Sequence, residues 1–166
     1  MADRPLPEIL IPYLELVEGE RFKAYKDSAG VWTDGVGSTT GVTEGTVWTQ
    51  DQINQHLAAD LQVAVQRLNW AIGPSAIAGL NDYQYAALLS FVFNEGEKAD
   101  WTIWADIRKG DLSDVPGELK KFVYAGGQVD NGLENRREYD SELWLGTHPL
   151  CAKYPLPSTG QSILEV

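Results

Sequence analysis

The chain has 166 residues, of which 43% are hydrophobic and 22% charged, and its formal net charge is −11. This length and composition predict a single globular domain with a buried core. The acidic balance argues against nucleic acid and anionic membrane surfaces as partners, because both bind clustered Lys and Arg. Membrane insertion is not expected either, since no run of about 20 apolar residues is present.

The cysteine and histidine content limits the possible chemistry. Cys151 is the only cysteine, so no internal disulfide can form. His56 and His148, the two histidines, lie far apart and no HExxH motif accompanies them. We therefore expect neither a metal site nor a nucleophile activated by histidine. The segment GVGSTTG lacks the third glycine of a phosphate-binding GxGxxG loop and is interpreted as a turn.

The first third of the chain predicts one helix followed by β-structure. Within 1–19, apolar residues at helical spacing predict a helix over 7–18. Its regular part begins near Pro12 and stops at Gly19. Residues 20–48 change to alternating and β-branched patterns with Gly-containing turns, which predict a small β-rich lobe.

The remainder of the chain is predicted to be mostly helical. Thr49 and Gln52 form a capping-box pattern, and apolar residues then recur every three or four positions. This pattern predicts a helix over 49–72 that joins two lobes. Further helical runs predict a helical lobe over 73–145, and 146–166 is expected to be extended. The predicted fold class is therefore α+β, with the larger part helical.

The six tryptophans could stack on sugar rings or pack in the core. Helical spacing favours core packing for Trp70, Trp101, Trp104 and Trp144. The two in or beside the β-rich lobe, Trp32 and Trp48, are better candidates for a binding cleft.

Glu18 is the best candidate for a proton donor. It lies in the last turn of the first helix, where the negative end of the helix dipole and partial burial both favour a protonated carboxyl. Such an acid can protonate the leaving oxygen of a glycoside. Asp27 heads a polar turn that favours its ionised form, and Thr33 follows on the returning strand, where its hydroxyl can hold a water. If Thr33 faces the cleft, Asp34 points to the opposite side.

The same residues also fit a structural interpretation. Glu18 could be a solvated helix end, Asp27 an Asx-turn residue and Thr33 an ordinary strand residue. Periodicity does not separate Glu18 from Glu15 or Glu20.

At these positions the sequence resembles the phage-type lysozymes, the endolysins of glycoside hydrolase family 24. The resemblance rests on Glu-Gly, Tyr-x-Asp, a turn glycine, an aromatic-Thr pair and Gly-x-Gly. In this chain these are Glu18-Gly19, Tyr25-Lys26-Asp27, Gly30, Trp32-Thr33 and Gly35-Val36-Gly37. It continues through the segment QYAALLSFVFNEG and through the segment FVYAGGQVDNGLENRREYDSELW.

The resemblance implies a lysozyme-like fold, with a small β-rich N-terminal lobe and a larger helical C-terminal lobe. It implies a muramidase that hydrolyses the β-1,4 bond between N-acetylmuramic acid and N-acetylglucosamine in bacterial peptidoglycan and causes host cell lysis. No cofactor is implied. Glu18 would be the general acid, Asp27 would stabilise positive charge on the sugar, and Thr33 would help Asp27 to place the attacking water. An inverting reaction would separate the two carboxyl groups by about 6.5–9.5 Å.

Further residues receive roles from the same resemblance. Trp32 and Asn94 would contact the substrate, and Tyr25 would support the site. Arg136, or failing that Arg137, would pair with Glu18. An arginine partner favours the ionised carboxylate, against the effects of burial and the helix end.

Some features depart from the family pattern or leave alternatives open. Ser38 stands where many members have His, and Asp34 and Glu95 add negative charge near the motifs. A lytic transglycosylase acting on the same bond and a non-catalytic peptidoglycan-binding virion protein remain alternatives. The acidic N-terminal segment resembles no signal peptide, so we expect the chain to accumulate in the host cytoplasm. We also expect a monomer. It would reach the cell wall at lysis through a holin or another permeabilising protein.

Overall fold

A computed structural model describes residues 4–19, 25–26, 30–33, 42–47 and 49–157. The α-helices of this part are Leu10–Glu18 (α1), Gln50–Ala78 (α2), Asp82–Glu95 (α3), Thr102–Lys109 (α4), Val115–Leu119 (α5) and Asn131–Leu145 (α6). Short 3-10 helices lie at Leu112–Asp114 and Pro149–Ala152. No helix among the described residues combines the length and the apolar character that a bilayer span requires.

Two small antiparallel sheets accompany the helices. Tyr25–Lys26 (β1) pairs with Trp32–Thr33 (β2), so that Tyr25 lies opposite Thr33. Tyr124–Ala125 (β3) pairs with Gln128–Val129 (β4) in a hairpin that precedes α6. Most of the predicted β-rich lobe, 20–48, falls outside the described residues, and its extent stays a prediction.

The long helix α2 begins as expected and runs further than expected. The Thr49 side chain accepts from the backbone N–H of Gln52, and the Gln52 side chain accepts from the N–H of Thr49, which completes the capping box. The predicted end near residue 72 is a kink instead, because Gly73 adopts φ 82° and ψ 159° and the helix then continues to Ala78. Glycine tolerates this backbone conformation, and Pro74 suits the first turn of the second segment.

Helix α3 is the centre of the core. Nine of its 14 residues are buried, and it packs against α1, α2 and α6. A helix buried on nearly all sides has no amphipathic stripe, so a polar residue within it needs a partner inside the protein. Ser90 is such a residue, because it lies in the middle of α3 with no exposed surface.

The prediction that the helical tryptophans pack in the core is confirmed except at one position. Trp104 and Trp144 are buried, and Trp101 packs partly buried against the core. Trp70 is 67% exposed, so its expected place in the core is wrong. The buried residues of α2 in this region are Leu61, Ala64, Leu68, Ala71 and Ile72. Trp70 lies off this stripe, because residues share a helix face at spacings of three and four, not two.

The segment after α6 is not simply extended, which corrects the prediction for its first part. His148 caps the 3-10 helix Pro149–Ala152 by accepting from the backbone N–H of Leu150, and Cys151 is buried. The Tyr83 hydroxyl lies 3.0 Å from the carbonyl oxygen of Cys151 and 2.8 Å from that of Tyr154. These contacts hold the segment on α3. Residues 158–166 fall outside the described part of the chain.

Candidate active site

Glu18 is the last residue of α1, and its side chain is 15% exposed. Apolar residues on the inner face of the helix, among them Leu10 and Leu14, anchor it in the core. The carboxyl group therefore lies at the C-terminal end of α1, where the carbonyl groups of the last turn have no partner within the helix. The negative end of the helix dipole makes a cation the favourable partner for a carboxyl group at this position.

The compensating cation is Arg136, the first of the two arginines expected to pair with Glu18. Its Nη1 donates to Glu18 Oε1 at 2.8 Å. Its Nη2 donates to the Ser90 hydroxyl oxygen at 3.0 Å, and the side chain is 7% exposed. Arg136 projects from α6 and Ser90 from α3, so two helices fix the guanidinium that faces the end of α1.

Arg136 stays charged despite its burial. Burial alone lowers the pKa of a guanidinium, but the attraction of Glu18 and of Asp140 outweighs it, so the pKa of Arg136 is raised. The site thus holds a permanent positive charge next to the candidate acid.

Arg137 has a different set of partners from its neighbour. It is fully buried, and its Nη1 donates to Asp140 Oδ2 at 2.5 Å. Its Nη2 donates to Asn94 Oδ1 and, at 3.0 Å, to Glu95 Oε1. Arg137 therefore does not pair with Glu18. It fixes the C-terminal end of α3, where Asn94 is exposed, and it neutralises Glu95, the extra carboxylate noted in the sequence.

Asp140 is a central residue that the sequence motifs did not single out. Its carboxylate has no exposed surface and accepts hydrogen bonds from the hydroxyl groups of Tyr13 and Ser90 and from Arg137. Two signals for this cluster are present in the sequence. Ser90 interrupts the apolar run AALLSFVF, and Asp140 follows two arginines at the helical spacings of three and four.

The β1–β2 pair places two further predicted site residues. Thr33 is 3% exposed, and its hydroxyl donates to the carbonyl oxygen of Val31 at 2.9 Å. Its oxygen can therefore accept a hydrogen bond from a water. Trp32 is half-buried, and the ammonium group of Lys26 lies 5.3 Å from the centre of its ring.

Not every predicted site residue can be placed. For Tyr25 the structure describes the backbone pairing with Thr33. Asp27 and Trp48 lie outside the described residues, so the separation between Glu18 and Asp27 stays a prediction. Within the described part of the chain, no hydrogen bond or ion pair joins Trp32 or Thr33 to Glu18. The cluster that the structure brings together is Glu18, Arg136, Arg137 and Asn94, with Asp140 behind them.

Comparisons with known proteins agree on one family. The family model described as Phage lysozyme matches residues 15–140. A SAR-endolysin of Bacteriophage PS119 is 31% identical over 132 residues, which cover 78% of this chain and 77% of the relative. The crystal structure of the active form of P1 phage endolysin Lyz matches with a TM-score of 0.72 and 29% identity over 83% of each chain. An endolysin from Escherichia coli O157:H7 phage FAHEc1 matches with a TM-score of 0.76 and 26% identity, over 89% of this chain and 98% of the other.

The geometry defines what this cluster can do chemically. A carboxyl group with little exposure can carry a proton, and a fixed guanidinium beside it can stabilise the carboxylate left after that proton departs. Behind Glu18 and Arg136, the side chain of Arg137 is paired with the carboxylates of Asp140 and Glu95. These pairs hold the cluster in place, and neither carboxylate is left as a second acid.

Proposed function

Because this chain belongs to the phage lysozyme family and is a muramidase of bacterial peptidoglycan, we propose that Glu18 is its general acid. Glu18 protonates the leaving oxygen as the β-1,4 bond between N-acetylmuramic acid and N-acetylglucosamine breaks. The observation that supports this role best is the largely buried ion pair between Glu18 and Arg136 at the end of α1. Proton transfer by a positioned acid contributes roughly 10²- to 10⁴-fold to such a reaction.

The pairing with Arg136 suits an acid that must give up its proton. Among the described residues, Arg136 donates to one oxygen of Glu18, Oε1. This leaves Oε2 to carry the proton towards the substrate. As the proton leaves, negative charge develops on Glu18 next to a guanidinium already held by Ser90. Stabilisation that grows as the reaction proceeds lowers the barrier rather than only the ground state.

We assign the placement of the attacking water to Asp27 and Thr33. Asp27 stabilises positive charge on the sugar, and Thr33 accepts a hydrogen bond from the attacking water that Asp27 activates. The hydroxyl proton of Thr33 is directed to Val31, which keeps the acceptor side of its oxygen available. With a water between the two carboxyl groups, the reaction inverts the configuration of the sugar.

Asn94 and Trp32 are proposed to contact the glycan. The Oδ1 of Asn94 accepts from Arg137, and its amide NH₂ donates to no other described residue, so this amide can donate to a sugar oxygen. The half-buried ring of Trp32 offers an apolar face of the kind on which sugar rings pack.

Product analysis tests the acid and the reaction type together. Purified peptidoglycan is digested with wild type, Glu18→Gln and Glu15→Gln, and the fragments are identified by mass spectrometry. Glu15 lies one turn before Glu18 on α1 and is exposed, which makes it a matched control. We expect hydrolytic reducing ends from wild type and Glu15→Gln and almost none from Glu18→Gln. Anhydro ends would indicate a transglycosylase, and full activity of Glu18→Gln would remove the acid assignment.

Access to the wall is proposed to require a permeabilising partner such as a holin, with the chain held as a monomer in the host cytoplasm until lysis. Expression in a bacterial host with and without a holin tests this. Culture turbidity should fall with the holin present, and equal lysis without it would contradict the proposal.

A further inference from the structure

We propose that Arg137 is a positioning residue that turns the donor side of the Asn94 amide towards the glycan, so that Asn94 binds an acetamido carbonyl oxygen of the substrate. This inference deepens the proposed function and rests on the proposed contact between Asn94 and the glycan. It gives a fully buried arginine, which cannot touch the substrate itself, a part in selecting the sugar group that is recognised.

The guanidinium of Arg137 is fixed on several sides. Its Nε donates to the carbonyl oxygen of Phe122 at 3.1 Å, and its Nη1 donates to Asp140 Oδ2 at 2.5 Å. Its Cζ lies over the ring of Phe91, 5.1 Å from the ring centre. The remaining edge of the guanidinium, Nη2, faces the C-terminal end of α3.

This Nη2 determines which side of the Asn94 amide faces outwards. It donates to Asn94 Oδ1 and, at 3.0 Å, to Glu95 Oε1. A guanidinium has donors only, whereas an amide side chain has an oxygen that accepts and an NH₂ group that donates. The oxygen of Asn94 therefore faces Arg137, and the NH₂ group lies on the other side of an exposed residue.

The reversed orientation of the Asn94 amide is unfavourable. It would place the NH₂ group against the guanidinium, so that two donors would meet. An N–H of Arg137 would lose its acceptor within a buried charged group, which is costly. The guanidinium does not move aside to avoid this, because Phe122, Asp140 and Glu95 accept from its other N–H groups.

The group that this amide binds on the substrate must be an acceptor. Both sugars of peptidoglycan, N-acetylmuramic acid and N-acetylglucosamine, carry an acetamido group, whose carbonyl oxygen accepts and does not donate. A sugar hydroxyl does both, so it could bind either side of an amide. A fixed donor therefore distinguishes the acetamido carbonyl. A sugar without its acetyl group carries an ammonium group in mildly acidic buffer, and this group has donors only.

The first test is a double-mutant cycle that measures KM on solubilised peptidoglycan. Arg137→Lys keeps the charge that pairs with Asp140 but lacks the planar fork that orients the amide. With Asn94 present, Arg137→Lys should raise KM roughly three- to tenfold, as expected for the loss of one hydrogen bond. In the Asn94→Ala background it should leave KM unchanged. A purely structural role would raise KM by the same factor in both backgrounds, which would overturn the proposal.

Arg4→Lys is the matched control for this substitution. Arg4 also forms an ion pair, with Asp82, and donates to two backbone carbonyl oxygens, but it does so at the opposite end of α3. Its KM should equal that of the wild type. Circular dichroism and the melting temperature check the fold of each variant.

The second test does not require an Arg137 variant to fold. Asn94→Asp keeps an acceptor for Arg137 and removes the NH₂ donor at an exposed position. On N-acetylated peptidoglycan its KM should exceed that of the wild type by roughly three- to tenfold. On de-N-acetylated peptidoglycan in mildly acidic buffer the order should reverse, because a carboxylate accepts from an ammonium group. Wild-type KM values for Asn94→Asp on both substrates would overturn the proposal.

Failure of this inference and failure of the proposed function give different results. If Asn94→Ala has the wild-type KM, the proposed contact between Asn94 and the glycan is wrong, and the inference fails with it. If Asn94→Ala raises KM but the effect of Arg137→Lys is the same in both backgrounds, the role of Arg137 alone is refuted. The acid assignment is tested separately, since the effect of Glu18→Gln is measured in the rate of hydrolysis.

Discussion

Tyr13 and Asp140 are 127 positions apart in the chain, and a hydrogen bond of 2.6 Å joins the Tyr13 hydroxyl to Asp140 Oδ1. Tyr13 lies on α1, the helix that ends at Glu18, and Asp140 lies on α6, one turn after Arg136. One bond therefore fixes the helix that carries the acid against the helix that carries its partner. Burial raises the pKa of Tyr13, and the charge of Asp140 raises it further, so the hydroxyl remains a donor.

Replacement of Tyr13 by Phe should destabilise the fold through this single bond. The ring stays, and a buried carboxylate loses a donor, which costs about 1.5–3 kcal/mol. For a chain of this size, the melting temperature should fall by roughly 5 °C in a thermal unfolding experiment. Tyr139→Phe is the matched control. Like Tyr13, Tyr139 packs edge-on against His148, but it is 43% exposed. Equal melting temperatures of the two variants would show that the bond does not stabilise the fold.

The kink of α2 makes a second prediction. Gly73 has φ 82°, so an alanine there would be strained even though its Cβ would meet no atom within 4 Å. Gly73→Ala should lower the free energy of unfolding by about 1–3 kcal/mol. Gly79, at φ −81°, accepts an alanine without strain, and Gly79→Ala should be neutral or stabilising by about 0.4–1 kcal/mol. Urea unfolding of both variants gives the comparison, and a loss of stability that is no larger at Gly73 than at Gly79 would contradict the account of the kink.

His148 should make stability depend on pH. Burial lowers the pKa of its imidazole below the usual 6.5, and the weaker attraction of Glu142 acts in the opposite direction. Between the lowered pKa and about 6.5 the unfolded chain binds a proton that the folded chain does not. The stability that the buried neutral imidazole contributes is therefore fully present above about pH 6.5. It is lost as the pH falls through the lowered pKa of His148.

The variant His148→Asn isolates this effect. Asparagine keeps a side-chain acceptor for the backbone N–H of Leu150 and cannot titrate. We expect the melting temperature of the wild type to fall more than that of His148→Asn between pH 7.5 and pH 5. If the melting temperatures of the two proteins fall equally with pH, His148 does not make stability depend on pH.

The sequence predicted the helices better than their ends. Periodicity and the Thr49–Gln52 capping box located α2, because both signals are local. The continuation past Gly73 was missed, since a glycine followed by a proline suits either a stop or a kink and only packing decides. The 3-10 helix after α6 was missed for a similar reason. Its stability comes from the burial of Cys151 and from contacts with Tyr83, which is distant in sequence.

The site shows the same division between local and distant information. The motifs pointed to Glu18 and to a pair of arginines, and the structure assigns Arg136 to Glu18. The spacing of Asp140 after the two arginines is a local signal, but it does not show that Asp140 is the buried one among the several carboxylates of α6. Its position became clear from Tyr13 and Ser90, which approach it from two other helices.

Whether Glu18 supplies the proton is decided by the initial rate at which Glu18→Gln releases reducing ends from purified peptidoglycan. Glutamine keeps the size of the side chain and an acceptor for Arg136 but has no acidic proton. With the fold intact by circular dichroism, the rate should fall roughly 10²- to 10⁴-fold relative to Glu15→Gln. A folded Glu18→Gln with a rate within about threefold of this control would rule out Glu18 as the general acid.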